Sequence, residues 1–345
     1  LDLIENFLFQ ATHGNPQHFL VQGERGIGKS SLLLFVEHLS RSGATNDGFD
    51  FLTVSIDLGG CQTQLDIVRK IARGVKGAIQ EKEAVKKSAK DLWEWLTNWE
   101  ILGVKYNRPQ FEVDVEEVVE DLVGEISVFC ESLAAGDGLL FLIDEADRPP
   151  VEANLGEFTK LVTERLAKKS ASKVLFGLAG IPSIMTKLRE SHESSPRAFH
   201  SILLEPLEPA ERKRVIELGM KEANARSPQH IDMTADAITL LADLSEGYPH
   251  FVQQFAYSAF DHDTDNHIDE GDVAEGAFKS GGALSQLGDK YFNEMYHARI
   301  SSEDYRRVLD AMATHGDAWL PRQQIIKEST VTETNVNNAL KALKE

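Results

Sequence analysis

"VQGERGIGKSSLLLF" (residues 21–35) decides how the rest of the sequence is read. The run before it, "HFLVQ" (18–22), has the composition of a short buried strand, and "SSLLLFVEHL" (30–39) leaves it with helical spacing. Glycines between two such runs let a backbone bend tightly and approach a ligand closely. Gly23, Gly28, Lys29 and Ser30 fill the pattern G-x-x-x-x-G-K-[ST] completely. In a strand–loop–helix setting that pattern turns successive backbone N–H groups toward a phosphate at a helix N-terminus, with a lysine and a hydroxyl in reach. The expected nucleoside-triphosphate cradle is therefore Gly23, Glu24, Arg25, Gly26, Ile27, Gly28, Lys29, Ser30 and Ser31.

Hydrolysis needs more than a cradle: Mg²⁺ needs an acid, and water needs a base. "LLFLIDEAD" (139–147) places Asp144 and Glu145 at the end of an apolar strand. Ligands of open α/β sheets sit off the carboxyl ends of the strands, where this pair falls. Asp144 is expected to hold Mg²⁺ together with Ser30, and Glu145 to orient and activate the attacking water. The letters "DEAD" also suggest a helicase, but the next strand reads "LFGLAG" and carries no Ser-Ala-Thr motif, so that reading is set aside.

Outward from this pair, strand-like runs at 18–22, 51–57, 139–144, 173–180 and 200–206 alternate with helical patterns at 63–78, 115–135 and 152–169. That alternation predicts an α/β fold, a parallel sheet covered on both faces. Beyond "PLEPAER" the strand signals stop. The expected organisation is a P-loop core at 1–206, an all-helical lid at 207–282, and a linker helix with a helix-turn-helix or winged-helix-like module at 283–345. Within the core, residues 79–112 form a Trp-rich insertion. Leu92, Trp95, Leu96 and Trp99 share one helical face, which reads as a helix docked on its own domain; the alternative, because Trp93 lies off that stripe, is a partner surface.

The 345 residues carry a net charge of −19, with 42% hydrophobic and 26% charged residues, ordinary for a globular protein apart from the acidity. Such a surface repels nucleic acid at long range, so any DNA contact needs a locally basic patch. No apolar run approaches the ~20 residues of a membrane helix. Cys61 and Cys130 lack metal or redox spacing, which fits a reducing cytoplasm. The chain starts at Leu1 inside a helical pattern, which reads as a fragment of a longer protein.

Together, "GERGIGKS" and "FLIDEAD" resemble the Walker A and Walker B motifs of AAA+/STAND-type P-loop ATPases, in the branch shared by archaeal-type ATPases and origin-recognition initiators. The resemblance spans nearly the whole chain and implies ATP and Mg²⁺ as cofactors. In that family the fourth strand ends in a polar sensor; here it ends in Ala179 and Gly180, leaving Ser183 nearby. "SSPRAFHSILLEPLEPAER" (194–212) is similar to the family segment that carries an arginine before the fifth strand, which makes Arg197 the implied arginine finger or γ-phosphate sensor. "GYPHFVQQF" (247–255) resembles the lid motif over the nucleotide and brings in Pro249 and His250, the latter where initiators carry arginine.

Two further stretches are weighed. "DHDTDNHIDEGD" (261–272) partly copies a calcium loop but lacks glycine at its sixth position and glutamate at its last, and is read as a polar loop. "SEDYRRVLDAMATHGDAWLPRQQIIKESTVTETNVNNALKALKE" (302–345) breaks into three short helices, the third offering Thr334, Asn335, Asn338 and Lys341 toward a groove. In initiator relatives this module binds DNA; here acids and bases nearly balance, and a protein-contact role stands beside the DNA role. The expected function is an ATP-binding and hydrolysing molecular switch, self-associating on ATP binding and meeting a protein partner through residues 79–112 or the carboxyl-terminal module. The alternatives are a DNA-associated initiator, loader or transposition regulator, and a nucleotide-locked scaffold with little turnover.

Overall fold

Five apolar runs assemble into one all-parallel sheet, seen in a computed structural model that describes residues 2–42, 48–82, 85, 89–105, 115–132, 138–169, 171–316 and 318–343. The strands are β1 (Phe19–Gln22), β2 (Phe51–Asp57), β3 (Gly138–Asp144), β4 (Val174–Gly180) and β5 (His200–Leu203), in the spatial order β2-β3-β4-β1-β5. β4 is thus inserted between the strand that feeds the glycine loop and the strand that ends in Asp144. Register aligns Gln22 with Gly180 and Asp57 with Asp144, so the strand ends that matter lie level along one edge.

The central strands are buried along their length because both faces are covered. Along β3, Leu139, Phe141 and Ile143 enter one apolar cluster while Leu140 and Leu142 enter the other, the two-residue alternation of a pleated strand. The second cluster is closed by α1 (Asp2–Thr12) and α2 (Lys29–Ser42). The first is closed by α3 (Gln64–Glu81), α4 (Lys90–Lys105), α5 (Val115–Ser132) and α6 (Leu155–Lys168), with α7 (Ile184–Ser191) at its margin. Phe141 and Phe176 stack at 4.7 Å on neighbouring strands. Each fully buried phenylalanine contributes roughly 1.5–3 kcal/mol through removal from water. Gly177 is glycine because the Phe19 ring lies 2.2 Å from where a Cβ would stand.

The Trp-rich insertion docks on this first cluster. Leu92 and Leu96 are buried and Trp95 packs beside them, as the stripe requires; Trp99's side chain and residues 106–112 lie outside the described residues. Trp93, off the stripe, is partly buried as Trp95 is. It also packs against the cluster, with the Lys76 ammonium 5.1 Å from its ring, because α3 is long enough to present a lysine over it.

The chain divides into two compact units, Leu1–Pro206 and Leu207–Glu345. The second begins with α8 (Pro209–Arg226), opened by Pro209 and a Glu208–Glu211 capping box. α9 (Ala235–Leu244), α10 (Pro249–His262), α11 (Glu270–Phe278) and α12 (Ala283–Leu287) bury a shared cluster around Leu241, Val252, Phe255 and Val273. A two-residue parallel pairing, β6 (Asp232–Met233) with β7 (His267–Ile268), ties two loops within this otherwise helical region. The acids of 261–272 are used locally: Asp263 accepts the N–H groups of Asp265, Asn266 and His267, and Asp269 caps α11 in a box with Asp272. Two π-helical turns, Gly288–Phe292 and Glu294–Arg299, lead to α13 (Glu303–Ala313), α14 (Arg322–Ser329) and α15 (Glu333–Ala342). These three helices enclose their own small core of Val308, Ile325, Val331, Val336 and Ala339.

Candidate nucleotide-binding site

β1 ends at Gln22, and the chain turns through residues 23–28 before α2 starts at Lys29. Gly26 (φ 81°) and Gly28 (φ 104°) take the left-handed conformations that open the loop, which L-residues with side chains adopt only under strain. Ile27 is buried beneath the loop and Gly23 packs on it, so the cradle is anchored from below while its backbone faces outward. Lys29 is half-buried, and its ammonium donates to the carbonyls of Gly23 and Glu24, both at 2.8 Å. Burial pulls this lysine below its usual range, against the opposing pull of Asp147, Asp144 and Glu24.

Ser30 Oγ donates to Asp144 Oδ2 at 2.5 Å, joining residues 114 positions apart. Asp144 is fixed in turn: its Oδ1 accepts the N–H of Glu145 at 2.8 Å, and its carbonyl accepts from Leu58 at 3.0 Å. A hydroxyl and a carboxylate side by side are hard oxygen donors of the kind Mg²⁺ takes, so these two residues fit the ion.

Glu145 has φ 50°, a strained value for a glutamate, of the kind that clusters at functional sites. Its carboxylate lies on the β2 side of β3, beside Gly59, whose absent Cβ would meet Glu145 Oε2 at 2.7 Å and Asp57 Oδ1 at 3.0 Å. Arg148 reaches Glu145 Oε1 at 3.5 Å. Lys70 holds the β2 end, donating to the Asp57 carbonyl and carboxylate and to the Gly59 carbonyl.

On the other side of β3 stands Asp147, which the motif reading passed over. It is buried, and its Oδ1 accepts the N–H of Ile181, just past β4, at 3.0 Å. Lys187 secures the same turn by donating to the carbonyls of Asp147 (2.5 Å) and Pro149 (3.0 Å). The signal was the last letter of "DEAD", a carboxylate kept where the strand has already ended.

The other expected site residues lie on other elements. Arg197 lies on the 3₁₀ turn Ser195–Ala198 before β5, exposed, its guanidinium without a hydrogen bond or ion pair among the described residues. Ser183 is exposed at the start of α7. Pro249 and His250 open α10 in the second unit. There Lys290 lies 3.1 Å from His250 Nε2, and burial followed by the Lys290 charge lowers the imidazole's pKa, so a neutral ring accepts from the ammonium. Lys290 is a cation that the motif "GYPH" gives no hint of. In the carboxyl-terminal helices the Asn335 amide donates to Asp304 on α13 at 2.7 Å, while Thr334, Asn338 and Lys341 are exposed.

A glycine loop on β1, an acid pair on β3 and a strand between them define a P-loop fold of the AAA+ type, as the motif resemblance implies. The sequence matches no family model and no curated protein. In shape the chain is similar to the ORC2 protein of Aeropyrum pernix, solved with ADPNP and ADP, at a TM-score of 0.61 and 15% identity over 99% of this chain and 83% of that one. It is similar to a Walker-type ATPase of Pyrococcus abyssi at 0.56 and 16% over 99% and 87%, and to Cdc6p of Pyrobaculum aerophilum at 0.50 and 13% over 99% and 84%. At such identities the likeness is one of fold. Among the described residues no helix is long and apolar enough to cross a membrane.

Proposed function

We propose that this chain binds ATP with Mg²⁺ and hydrolyses it as an AAA+/STAND-type switch, its core at 1–206 coupled to a helical lid at 207–282 and a carboxyl-terminal module at 283–345. The observation that carries the reading is the Ser30–Asp144 hydrogen bond, which brings the hydroxyl of the phosphate loop onto the acid of a distant strand. Residues with no structural need of one another meet where an ion would sit. When bound, Mg²⁺ supplies charge neutralisation to the β- and γ-phosphates. The loop N–H groups from Gly23 to Ser30 receive the phosphates, and Lys29 adds a mobile point charge to them. Glu145 accepts the proton of the attacking water. Nucleotide state is read out through Pro249 and His250 in the lid and through self-association, with Arg197 as the group offered to a neighbouring copy.

Two measurements on one protein test this. Calorimetry with ATP and Mg²⁺ should show binding that Lys29→Ala abolishes while its circular dichroism stays unchanged, since the lysine makes only loop contacts. Phosphate release should accompany binding in the parent chain. Unchanged ATP affinity in Lys29→Ala would overturn the site assignment; binding without release would leave the nucleotide-locked scaffold as the better reading.

A further inference from the structure

β4 delivers no polar side chain to the site. Its last residues are Ala179 and Gly180, and Gly180 lies level with Gln22, the residue from which the phosphate loop departs. The space above Gly180 is taken by Asp147: a Cβ there would stand 2.9 Å from Asp147 Oδ1. Only 9% of Asp147 is exposed, a degree of burial that a lone carboxylate tolerates only when it is bonded or charge-paired. Oδ1 has its bond, to the N–H of Ile181. Oδ2 has no hydrogen-bond partner among the described residues, yet it is not among their enclosed, unsatisfied atoms and so keeps contact with solvent. Of the acids that act on Lys29, Asp147 acts most strongly, which sets this carboxylate in the field of the phosphate lysine.

We propose that Asp147 holds the attacking water of ATP hydrolysis from the β4 side, across from Glu145 on the β2 side. The inference rests on the hydrolytic reading given above. Water bonds through its oxygen to the γ-phosphorus, and the bond from that phosphorus to the β,γ-bridging oxygen breaks, its electron pair leaving with ADP. Glu145 takes the proton. Asp147 takes none: Oδ2 accepts a hydrogen bond from the water's second O–H and so fixes its rotation. Lys29 offsets the negative charge this places near the phosphates, and Lys187, by clamping the carbonyls of Asp147 and Pro149, keeps the turn in place.

Asp147→Asn separates this role from a structural one. The amide keeps the volume and an oxygen for the Ile181 N–H but puts a donor where the water needs an acceptor. Affinity for ATPγS by calorimetry and the melting midpoint should match the parent, while kcat for phosphate release falls roughly 10²-fold, the scale of a misplaced reacting group. Asp147→Ala, which also loses the Ile181 bond, should melt earlier and so report the structural share. Parent turnover in Asp147→Asn overturns the proposal, as does a loss of turnover that merely follows weaker ATPγS binding or a lower melting midpoint. A parent chain that binds ATP without hydrolysing it also overturns it while leaving the binding site standing. A parent that binds no nucleotide removes both readings.

Discussion

The glycine loop with its facing acids and the three-helix module at 302–343 use polar side chains in opposite ways. In the module they satisfy one another: Asn335 bonds Asp304, Arg322 bonds Asn337 and Glu333, and His315 meets Glu328 at 2.6 Å. Around the loop, Ser30 and Asp144 bond each other, but the other polar contacts run to backbone and leave capacity outward. Lys29 rests on two carbonyls, Asp144 is aimed by an N–H, and Asp147 keeps one oxygen unbonded. A polar group kept in place without being neutralised by a side-chain partner costs stability, and a fold retains it where a ligand completes the arrangement. The module shows no such arrangement among its described residues. Its outward feature is apolar, Trp319, 99% exposed between α13 and α14.

The widest test of that contrast is Arg197, an open cation far from the open acids. A group that meets a neighbour's γ-phosphate offsets the charge that spreads over the equatorial oxygens, and such arginines are worth roughly 10³–10⁵ in rate. Arg197→Ala should bind ATP normally and lose turnover on that scale, with partial recovery on mixing with Glu145→Gln chains. Recovery requires one site built from two chains, the intact base from one and the intact arginine from the other. Turnover that is independent of protein concentration and unmoved by mixing would confine Arg197 to its own chain.

The shape of the glycine loop was legible in the sequence because it is local. Eight consecutive residues state the loop, and Asp144 announces itself by ending an apolar strand. The same holds for the sheet, whose strands are short, apolar and punctuated. What was not legible depends on register and on what a helix meets. Asp147 matters because β4 ends in glycine beside it, a fact of strand pairing. Trp93, off the apolar stripe, packs partly against the cluster with Lys76 of α3 over its ring. Asn335 lies on a helix face that pattern alone leaves ambiguous until Asp304 is placed opposite.

His18 tests the interior of the first unit rather than its rim. Its Nδ1 accepts the N–H of Phe176 at 3.2 Å, so the ring must be neutral, and burial, with the charge of His200 second, lowers its pKa to about 4. A histidine depressed in the fold favours folding fully above its ordinary pKa of 6.5 and loses that contribution as pH falls toward 4. The shift corresponds to about 3 kcal/mol, drawn out of the stability of this unit across that window. His18→Gln keeps an acceptor for Phe176 but cannot titrate, so its denaturation midpoints should lack the acid-side decline. An equally steep decline in the variant would place the acid sensitivity elsewhere, among the carboxylates.

The smallest expected effect concerns Asn335 and decides whether the module's polar groups are closed on themselves. Its amide bond to Asp304 joins α15 to α13 across the module's small core, and a neutral donor on a carboxylate contributes about 1–2 kcal/mol. Asn335→Ala should lower the melting midpoint of the module's unit by a few degrees, on the order of 2–4 °C per kcal/mol for this size. ATP turnover should not change, since no nucleotide contact is assigned there, and duplex DNA binding at low salt, if the chain shows any, should change no more than the loss of folded protein explains. The opposite pattern, unchanged melting with DNA anisotropy lost, would mean that Asn335 leaves Asp304 to read a base edge. The module would then share the outward-facing logic of the phosphate loop, and the contrast between the two regions would fail at its most specific point.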